Sequence, residues 1–328
     1  MTRAAVVSAL MVGLGGVAAA QQTPAQREPP VYRSATELVP LNVTVTDTNS
    51  QFVRGLTADD FAVFEDGVRQ EVQFFEAVEI PKDLIVLLDT SSSMLDKMDV
   101  VHEAAIGFLR TLREGDRGAV VTFADGVDIV QTLTGDGDAL EAAVRRTTAR
   151  GATALYNALY ISIREFGQRM RLNGAIRRQA IAVLTDGDDT SSLMNFDDVL
   201  AVARKSGVSI YPIALQARQT GSRHSSSAQR RSYSNGDYSL RQIAQETGAQ
   251  AFFPRHIDEL NAIYSTIGQE LSSQYALAYA SGNAQADGRY RRITVRIAER
   301  PELRLRTRTG YTVDEGRTST TSMLYRPR

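Results

Sequence analysis

The 328-residue sequence contains no cysteine and only three histidines, His102, His224 and His256. Without cysteine, the chain cannot form disulfides, thiolate zinc sites, iron–sulfur clusters or a cysteine nucleophile. The histidines lie far apart in the sequence, so we do not expect a transition-metal site built from imidazoles. Any metal chemistry in this protein must therefore use oxygen ligands.

The sequence also lacks a strong net charge. Its 37 lysines and arginines are balanced by 38 aspartates and glutamates, which leaves a formal net charge of −1. A protein that binds nucleic acid without sequence preference depends on a strongly basic field. We therefore expect no nucleic-acid partner, and any charged partner must be recognised by a local patch.

Residues 1–20 have the pattern of a cleavable signal peptide, with Arg3 near the start, an apolar stretch, and three alanines that end at Ala20. This stretch is short and weakly apolar compared with the ~20 residues that a membrane span requires. No later stretch is long enough to cross a bilayer. We therefore predict a secreted or periplasmic protein whose mature chain has no transmembrane span. Residues 21–35 are polar and rich in proline, which is typical of a linker.

The pattern of strands marks both ends of the remaining chain. In residues 36–80, apolar and polar side chains alternate, and the dipeptide Asp66-Gly67 predicts a turn before a returning strand over 68–75. Alternation returns in residues 276–313. We expect these two flanks to pair into one small β module with the middle of the chain inserted between them. The Thr/Ser-rich residues 314–328 are predicted to form a flexible tail.

Residues 83–275 alternate short apolar runs with longer segments whose apolar residues recur at helical spacing. Several runs have no polar face, as expected for strands that are buried on both sides. The pattern predicts an α/β domain with a doubly wound, mostly parallel sheet and helices on each face. The strand candidates are residues 84–88, 119–123, 127–130, 180–184, 208–211 and 251–253, and the helix candidates are residues 98–112, 155–170 and 260–271.

Oxygen-bearing side chains follow two of these strands and precede one helix. The first strand runs into Asp89-Thr90-Ser91-Ser92-Ser93, Asp186 follows the 180–184 strand, and Thr153 precedes the second helix. Ligands of such sheets bind outside the carboxyl ends of the strands. Carboxylates and hydroxyls are hard ligands, which suit Mg²⁺, Mn²⁺ or Ca²⁺.

Two carboxylates would roughly neutralise a divalent ion held by Asp89, Ser91, Ser93, Thr153 and Asp186. Such an ion keeps an open position, which could accept a carboxylate from a partner or activate water. Each motif alone also has an ordinary interpretation as a capping box, a helix N-cap or a turn. Their joint occurrence favours a metal site, but it does not separate binding from catalysis.

Three motifs carry a family resemblance: Asp89-Thr90-Ser91-Ser92-Ser93, Gly151-Ala152-Thr153-Ala154-Leu155 and Thr185-Asp186-Gly187. They resemble the three parts of the metal-ion-dependent adhesion site of von Willebrand factor type A domains, over roughly residues 83–275. The resemblance implies that the serine and threonine hydroxyls meet a Mg²⁺-type ion directly and that the two aspartates act mainly through bound water. It also implies binding of a protein partner through an acidic residue of that partner, with no catalysis.

The flanks are similar to those of a group of secreted bacterial proteins, the VWFA-related Acidobacterial group. The residues that carry this similarity are 43–47, 55–61, 64–67 and 309–311. The group has no assigned activity to transfer. The similarity therefore implies an architecture and an extracellular or envelope compartment, where the protein partner is also expected.

Other functions have less support from the motifs. A haloacid-dehalogenase-like phosphatase would need an aspartate where Ser91 stands, and the chain has neither a Gly-x-Ser-x-Gly elbow nor a phosphate-binding Gly-Lys-Ser/Thr loop. The glycine-bearing segment 135–138 is better explained as a turn and helix cap than as a dinucleotide turn. We expect a non-enzymatic protein, with a metal-assisted hydrolase and a metal-independent envelope scaffold as the alternatives.

Two arginine-bearing segments could influence the choice of partner. Residues 216–239 form a Ser/Arg-rich insertion, which is interpreted as a solvated loop, with a basic lid that attracts an acidic ligand as the alternative. Arg304, Arg306 and Arg308 form a stripe that alternates with Leu303 and Leu305, which predicts the solvent-exposed face of a strand, with a surface that binds an anionic envelope polymer as the alternative.

Overall fold

A computed structural model describes residues 38–77, 80–173, 177–215, 235–283, 285, 287–298 and 300–313. The predicted signal peptide, linker and C-terminal tail lie outside the described residues, as does most of the 216–239 insertion. The segment boundaries drawn from the sequence therefore stay predictions. Among the helices of the described residues, none combines the length and the apolar character that a membrane span needs.

The described chain begins and ends in strands and alternates strands with helices between them. Its elements are β1 (Leu38–Thr46), β2 (Phe61–Glu65), β3 (Val68–Gln70), β4 (Val72–Glu76), β5 (Lys82–Asp89), α1 (Met98–Leu109), β6 (Arg117–Phe123), β7 (Val127–Thr134), α2 (Gly137–Arg145), α3 (Leu155–Asn173), β8 (Arg178–Thr185), α4 (Phe196–Ser206), β9 (Ser209–Ala214), α5 (Asn235–Glu246), α6 (Leu260–Leu271), β10 (Tyr275–Ala280), β11 (Tyr290–Ile297), β12 (Arg304–Arg306) and β13 (Gly310–Thr312).

A five-stranded sheet with the order β7-β6-β5-β8-β9 forms the centre of the α/β unit. β5 pairs in parallel with β6 and β8, β8 pairs in parallel with β9, and the edge strand β7 runs antiparallel to β6. Every residue of β5 and β8 is buried. Residues of α1, α2 and α6 pack on one face, and residues of α3, α4 and α5 pack on the other. The predicted doubly wound α/β fold is confirmed.

Local capping determines where α2 and α4 begin. Asp136 Oδ1 accepts a hydrogen bond of 3.0 Å from Ala139 N, which agrees with the interpretation of segment 135–138 as a turn and helix cap. At the start of α4, Asn195 and Asp198 each accept a hydrogen bond from the backbone of the other. α4 ends at Ser206 and is capped by Gly207, whose φ of 71° is in the left-handed region that favours glycine.

One predicted strand of the α/β unit is much shorter in the structure. Residues 251–253 contribute a single parallel bridge between Phe252 and Ile213. Phe252 N donates to Pro212 O, and Phe252 O accepts from Ala214 N. Pro254 follows two residues later and has no N–H to extend the ladder, which ends the pairing.

The two flanks form the predicted smaller β module, which consists of two four-stranded sheets with the orders β12-β1-β10-β4 and β13-β11-β2-β3. β1 pairs antiparallel with β10, and β2 pairs antiparallel with β11, so strands from both ends of the chain lie side by side. Apolar residues from both sheets form one shared core.

The returning strand predicted over 68–75 is divided between the two sheets. β3 completes the hairpin with β2, whereas β4 pairs with β10 of the other sheet. This change of sheet places Phe75 within 5.8 Å of Phe61 and 6.0 Å of Tyr275, measured between ring centroids. These aromatic contacts stabilise the arrangement in which β3 and β4 belong to different sheets.

A buried carboxylate joins the two flanks. Glu65 at the end of β2 is 3% exposed and accepts hydrogen bonds from Tyr279 (2.7 Å), Ser281 (2.6 Å) and Tyr311 (3.0 Å). The buried guanidinium of Arg291 lies 3.3 Å from Glu65 Oε1. Burial would raise the pKa of Glu65, but the hydrogen bonds from these partners outweigh it and hold the pKa below its ordinary value.

The predicted exposed arginine face is wrong for two of its three residues. Arg304 is exposed, but Arg306 forms an ion pair with the buried Glu270, and Arg308 is only 8% exposed. Arg308 Nε donates to Gly310 O at 2.9 Å. The C-terminal flank lies against the α/β unit here, so the face that would meet solvent in an isolated strand is covered.

We predict that Glu65→Gln lowers the free energy of unfolding by about 3 kcal/mol at pH 7, because it removes the buried carboxylate that pairs with Arg291 and leaves only the more exposed Asp287, at 3.6 Å. The pKa of Glu65 is lowered in the folded state, so its stabilising contribution is present at neutral pH and is lost as the pH falls through that pKa. The difference between wild type and variant should therefore shrink below about pH 4. Denaturant unfolding at several pH values measures this difference.

Glu71→Gln is the matched control for this prediction. Glu71 lies between β3 and β4 and is exposed, so its substitution should change the free energy of unfolding by no more than about 0.5 kcal/mol. A loss at Glu65 that does not exceed the loss at Glu71 would contradict the assigned role of the buried carboxylate.

Candidate metal site

The candidate site lies at the carboxyl edge of the central sheet, where the strand order reverses between β5 and β8. Asp89 is the last residue of β5, and Asp186 directly follows β8. The two strands pair in register, with Leu88 opposite Leu184. Their parallel pairing brings the two carboxylates, which are far apart in the sequence, to one edge of the sheet.

Asp89 is fully buried and held by two hydrogen bonds. Its Oδ1 accepts from Ser91 N at 2.8 Å, and its Oδ2 accepts from Thr185 Oγ1 at 2.6 Å. Burial raises the pKa of Asp89 above its ordinary value, and the charge of Asp186 adds to this effect, although the hydrogen bonds oppose it. A nearby cation would relieve the cost of this buried charge.

Ser91, Ser93 and Asp186 form a chain of direct contacts. The Oγ atoms of Ser91 and Ser93 lie 3.1 Å apart, and Ser93 Oγ donates to Asp186 Oδ1 at 2.7 Å. A short 3₁₀ helix over Ser92–Lys97 places Ser93 Oγ against Asp186, which directly follows β8. The side chain of Ser93 therefore contacts the third motif. This is a different contact from the one that a capping box would make.

Thr153 is held beside these residues by its backbone. Ser92 N donates to Gly151 O at 3.0 Å, and Thr190 N donates to Thr153 O at 2.9 Å, so the Thr153 loop lies between the other two loops. Thr153 is 5% exposed. α3 begins at Leu155, two residues later, so Thr153 is not the residue that caps this helix.

Several supporting residues were not predicted as part of the site. Thr185 fixes Asp89, as described above, and Asp125 Oδ1 accepts from Ala152 N at 2.8 Å in the Thr153 loop. Asp189 Oδ1 accepts from Tyr156 N at 3.2 Å, at the start of α3. Thr185 stands within a recognised motif, but Asp125 lies on a loop whose sequence carries no signal of this contact.

Lys97 is the most important unpredicted neighbour. Its ammonium contacts Asp186 Oδ2 and also donates to Ser93 O at 2.6 Å. The side chain of Asp186 is 3% exposed, whereas that of Lys97 is 32% exposed. A cation of the protein itself thus lies against one of the candidate ligands.

The donor set fits an ion that prefers oxygen. The five candidate residues offer two carboxylates and three hydroxyls, all of them hard ligands. Over the described ranges there is no group of three or more His, Asp or Glu residues that could hold a metal ion. The site is therefore distinguished by its hydroxyls and not by a cluster of acids or imidazoles.

Hydroxyls and carboxylates at the switch point of a doubly wound α/β domain are the arrangement expected of a von Willebrand factor type A domain. The comparisons with known proteins identify the same family. Residues 83–266 match the von Willebrand factor type A domain family. The chain belongs to this family.

The individual proteins that resemble this chain have low sequence identity or cover only part of it. An uncharacterized protein of Synechocystis sp. is 32% identical over 113 residues, which cover 34% of this chain and only 26% of that protein. The solved von Willebrand factor type A structure from Catenulispora acidiphila is 14% identical, with a TM-score of 0.48 over 86% of this chain and 74% of that one. Proximal thread matrix protein 1 from the mussel byssus, solved with zinc in its own metal-ion-dependent adhesion site, is 18% identical, with a TM-score of 0.47 over 64% and 50% of the two chains.

We predict that Thr185→Val lowers the free energy of unfolding by about 1–3 kcal/mol, because it removes a hydrogen bond from the buried carboxylate of Asp89. Thr185→Ser is the matched control, since it keeps the hydroxyl and should lose much less. Urea unfolding in the presence of a chelator measures both variants. Equal losses in the two variants would mean that the hydroxyl contact contributes little.

We also predict that Gly151→Ala destabilises the Thr153 loop. Gly151 has a φ of 79°, and an added Cβ would lie 2.2 Å from Asp125 Oδ2. Backbone strain and this clash should together cost about 1–3 kcal/mol. Gly126→Ala is the control, because its Cβ would meet no atom within 4 Å. Thermal unfolding of the two variants tests the prediction, which fails if Gly151→Ala is as stable as the control.

Proposed function

We propose that this protein is a divalent-metal-dependent binding module whose metal site is formed by Asp89, Ser91, Ser93, Thr153 and Asp186. The hydrogen bond between Ser93 Oγ and Asp186 Oδ1 carries the proposal, because it joins side chains from two distant motifs at the switch point. Membership of the von Willebrand factor type A family supports the same assignment.

The proposed ion is Mg²⁺, with Mn²⁺ or Ca²⁺ as alternatives. Asp89 and Asp186 supply two negative charges, which balance a divalent ion, and the hydroxyls of Ser91, Ser93 and Thr153 add oxygen ligands without further charge. An ion held by so few anionic ligands retains affinity for another carboxylate. We propose that an acidic residue of a protein partner supplies it.

The proposed role is binding and not catalysis. The carboxylate of Asp89 is buried and engaged by Ser91 N and Thr185 Oγ1, which leaves it poorly placed to accept a proton from a substrate. A hydrolase would show turnover of phosphoester or glycoside substrates that disappears in Asp89→Ala. The absence of such turnover in the metal-loaded wild type would support the binding role.

We infer that the protein acts outside the cytoplasm. The signal-peptide pattern of residues 1–20 supports secretion or export to the periplasm. The flank segments 43–47, 55–61, 64–67 and 309–311 support membership of the secreted VWFA-related Acidobacterial group. The proposed partner is accordingly an extracellular or envelope protein that presents an acidic residue.

The metal site is tested by thermal unfolding of the mature protein, stripped with a chelator and titrated with Mg²⁺, Mn²⁺ and Ca²⁺. At 100 times its dissociation constant, a bound ion adds about 2.7 kcal/mol, which corresponds to an increase in Tm of roughly 5–11 °C for a domain of this size. Asp186→Asn should abolish the increase. Asp128→Asn, which removes an exposed carboxylate from β7, should retain it.

The partner interaction is tested by affinity capture from an envelope extract on the immobilised mature protein. A partner that binds in Mg²⁺, elutes in EDTA and fails to bind Asp186→Asn supports the proposal. A partner that binds equally well in EDTA would overturn it and favour a metal-independent scaffold.

A further inference from the structure

The ammonium of Lys97 lies within the candidate metal site, where it completes the contacts of Asp186. Ser93 Oγ donates to Asp186 Oδ1 at 2.7 Å, and Lys97 Nζ contacts Asp186 Oδ2. Both oxygens of this carboxylate are therefore engaged within the protein. Lys97 Nζ also donates to Ser93 O at 2.6 Å, so the ammonium connects the first motif to the third.

A lysine in this position is a cation on a flexible tether. Lys97 is the last residue of the 3₁₀ helix that carries the serine motif, and α1 begins at the next residue. Its backbone is thus fixed, whereas its side chain is 32% exposed and has room to leave. The ammonium of lysine is a compact, strongly hydrated charge on a flexible four-carbon stem, so it can leave the carboxylate for water without a movement of the backbone.

A divalent ion and the ammonium cannot both lie against Asp186 without strong repulsion. Two cations that share one carboxylate oppose each other, and the repulsion is greatest where water is scarce, as at this 3% exposed side chain. Loading of the site therefore requires the Lys97–Asp186 ion pair to open. The free energy of that ion pair is therefore lost from the free energy of ion binding.

We propose that Lys97 is an internal competitor that sets the concentration at which the divalent ion loads the site. In the ion-free protein, its ammonium stabilises the negatively charged site. In the loaded protein, it has been displaced from Asp186. This inference rests on the proposed metal site, and it adds a determinant of ion affinity that lies outside the five ligand positions.

The test compares Mg²⁺ and Mn²⁺ binding, measured by isothermal titration calorimetry, in wild type, Lys97→Met and Lys97→Gln. Both substitutions remove the competing charge, so both variants should bind the ions about twofold to fivefold more tightly, as expected for a partly exposed ion pair. In EDTA the variants should unfold at a lower temperature than wild type. At saturating ion the difference in Tm should disappear.

Arg69→Gln is the control for a general change in charge. Arg69 is an exposed residue of β3 in the flank sheet, and its substitution alters the net charge by the same amount. It should leave both the ion affinity and the stability in EDTA unchanged. Lys97→Arg keeps the charge and should not bind the ions more tightly than wild type does.

The outcomes separate this inference from the proposed function. Equal or weaker ion affinity in both Lys97 variants, with binding intact, would overturn competition and leave the metal site standing. Lower stability in EDTA without a gain in affinity would assign Lys97 a structural role only. No binding of either ion to wild type or to the variants would overturn the metal site and the inference together.

Discussion

Parallel pairing between β5 and β8 is the constraint on which the site depends. These strands are buried along their whole length and lie in register, so the residues that end them must emerge side by side. Asp89 and Thr185 are then close enough for a 2.6 Å hydrogen bond, and Asp186 follows directly. A shift of register by one residue would turn these side chains into the opposite face of the sheet. Burial of the apolar strands therefore fixes the geometry of the polar site.

A second buried carboxylate connects the α/β unit to the flanks. Glu270 of α6 accepts hydrogen bonds from Thr44 of β1 at 3.0 Å and from Tyr211 of β9 at 2.9 Å, and it forms an ion pair with Arg306 of β12. One side chain of α6 thus contacts the central sheet and both flanks of the β module. A buried charge tolerates few arrangements of its partners, so this contact specifies how the β module lies against the α/β unit.

The sequence predicts the features that depend on periodicity and on contiguous motifs. The apolar runs of β5 and β8 have no polar face, which is enough to predict a doubly wound sheet. The sequence does not predict contacts that depend on packing between distant segments. Arg308 continues the every-second-residue spacing of Arg304 and Arg306, as an exposed residue would, yet the α/β unit covers it. The fold determines which carboxylate a long side chain such as Lys97 contacts, so the sequence does not predict its ion pair with Asp186. The five proposed metal ligands stay a prediction.

The charges at the switch point are the electrostatic basis of the proposed cation site. Asp89 is surrounded by neutral donors, and burial raises its pKa, so its negative charge is poorly compensated within the protein. Asp186 has the ammonium of Lys97 beside it. Two carboxylates and one ammonium leave a net charge of −1 at this edge of the sheet, where both carboxylate side chains are buried. A divalent ion in place of the ammonium would neutralise both carboxylates, which is the electrostatic argument for the proposed exchange of one cation for another.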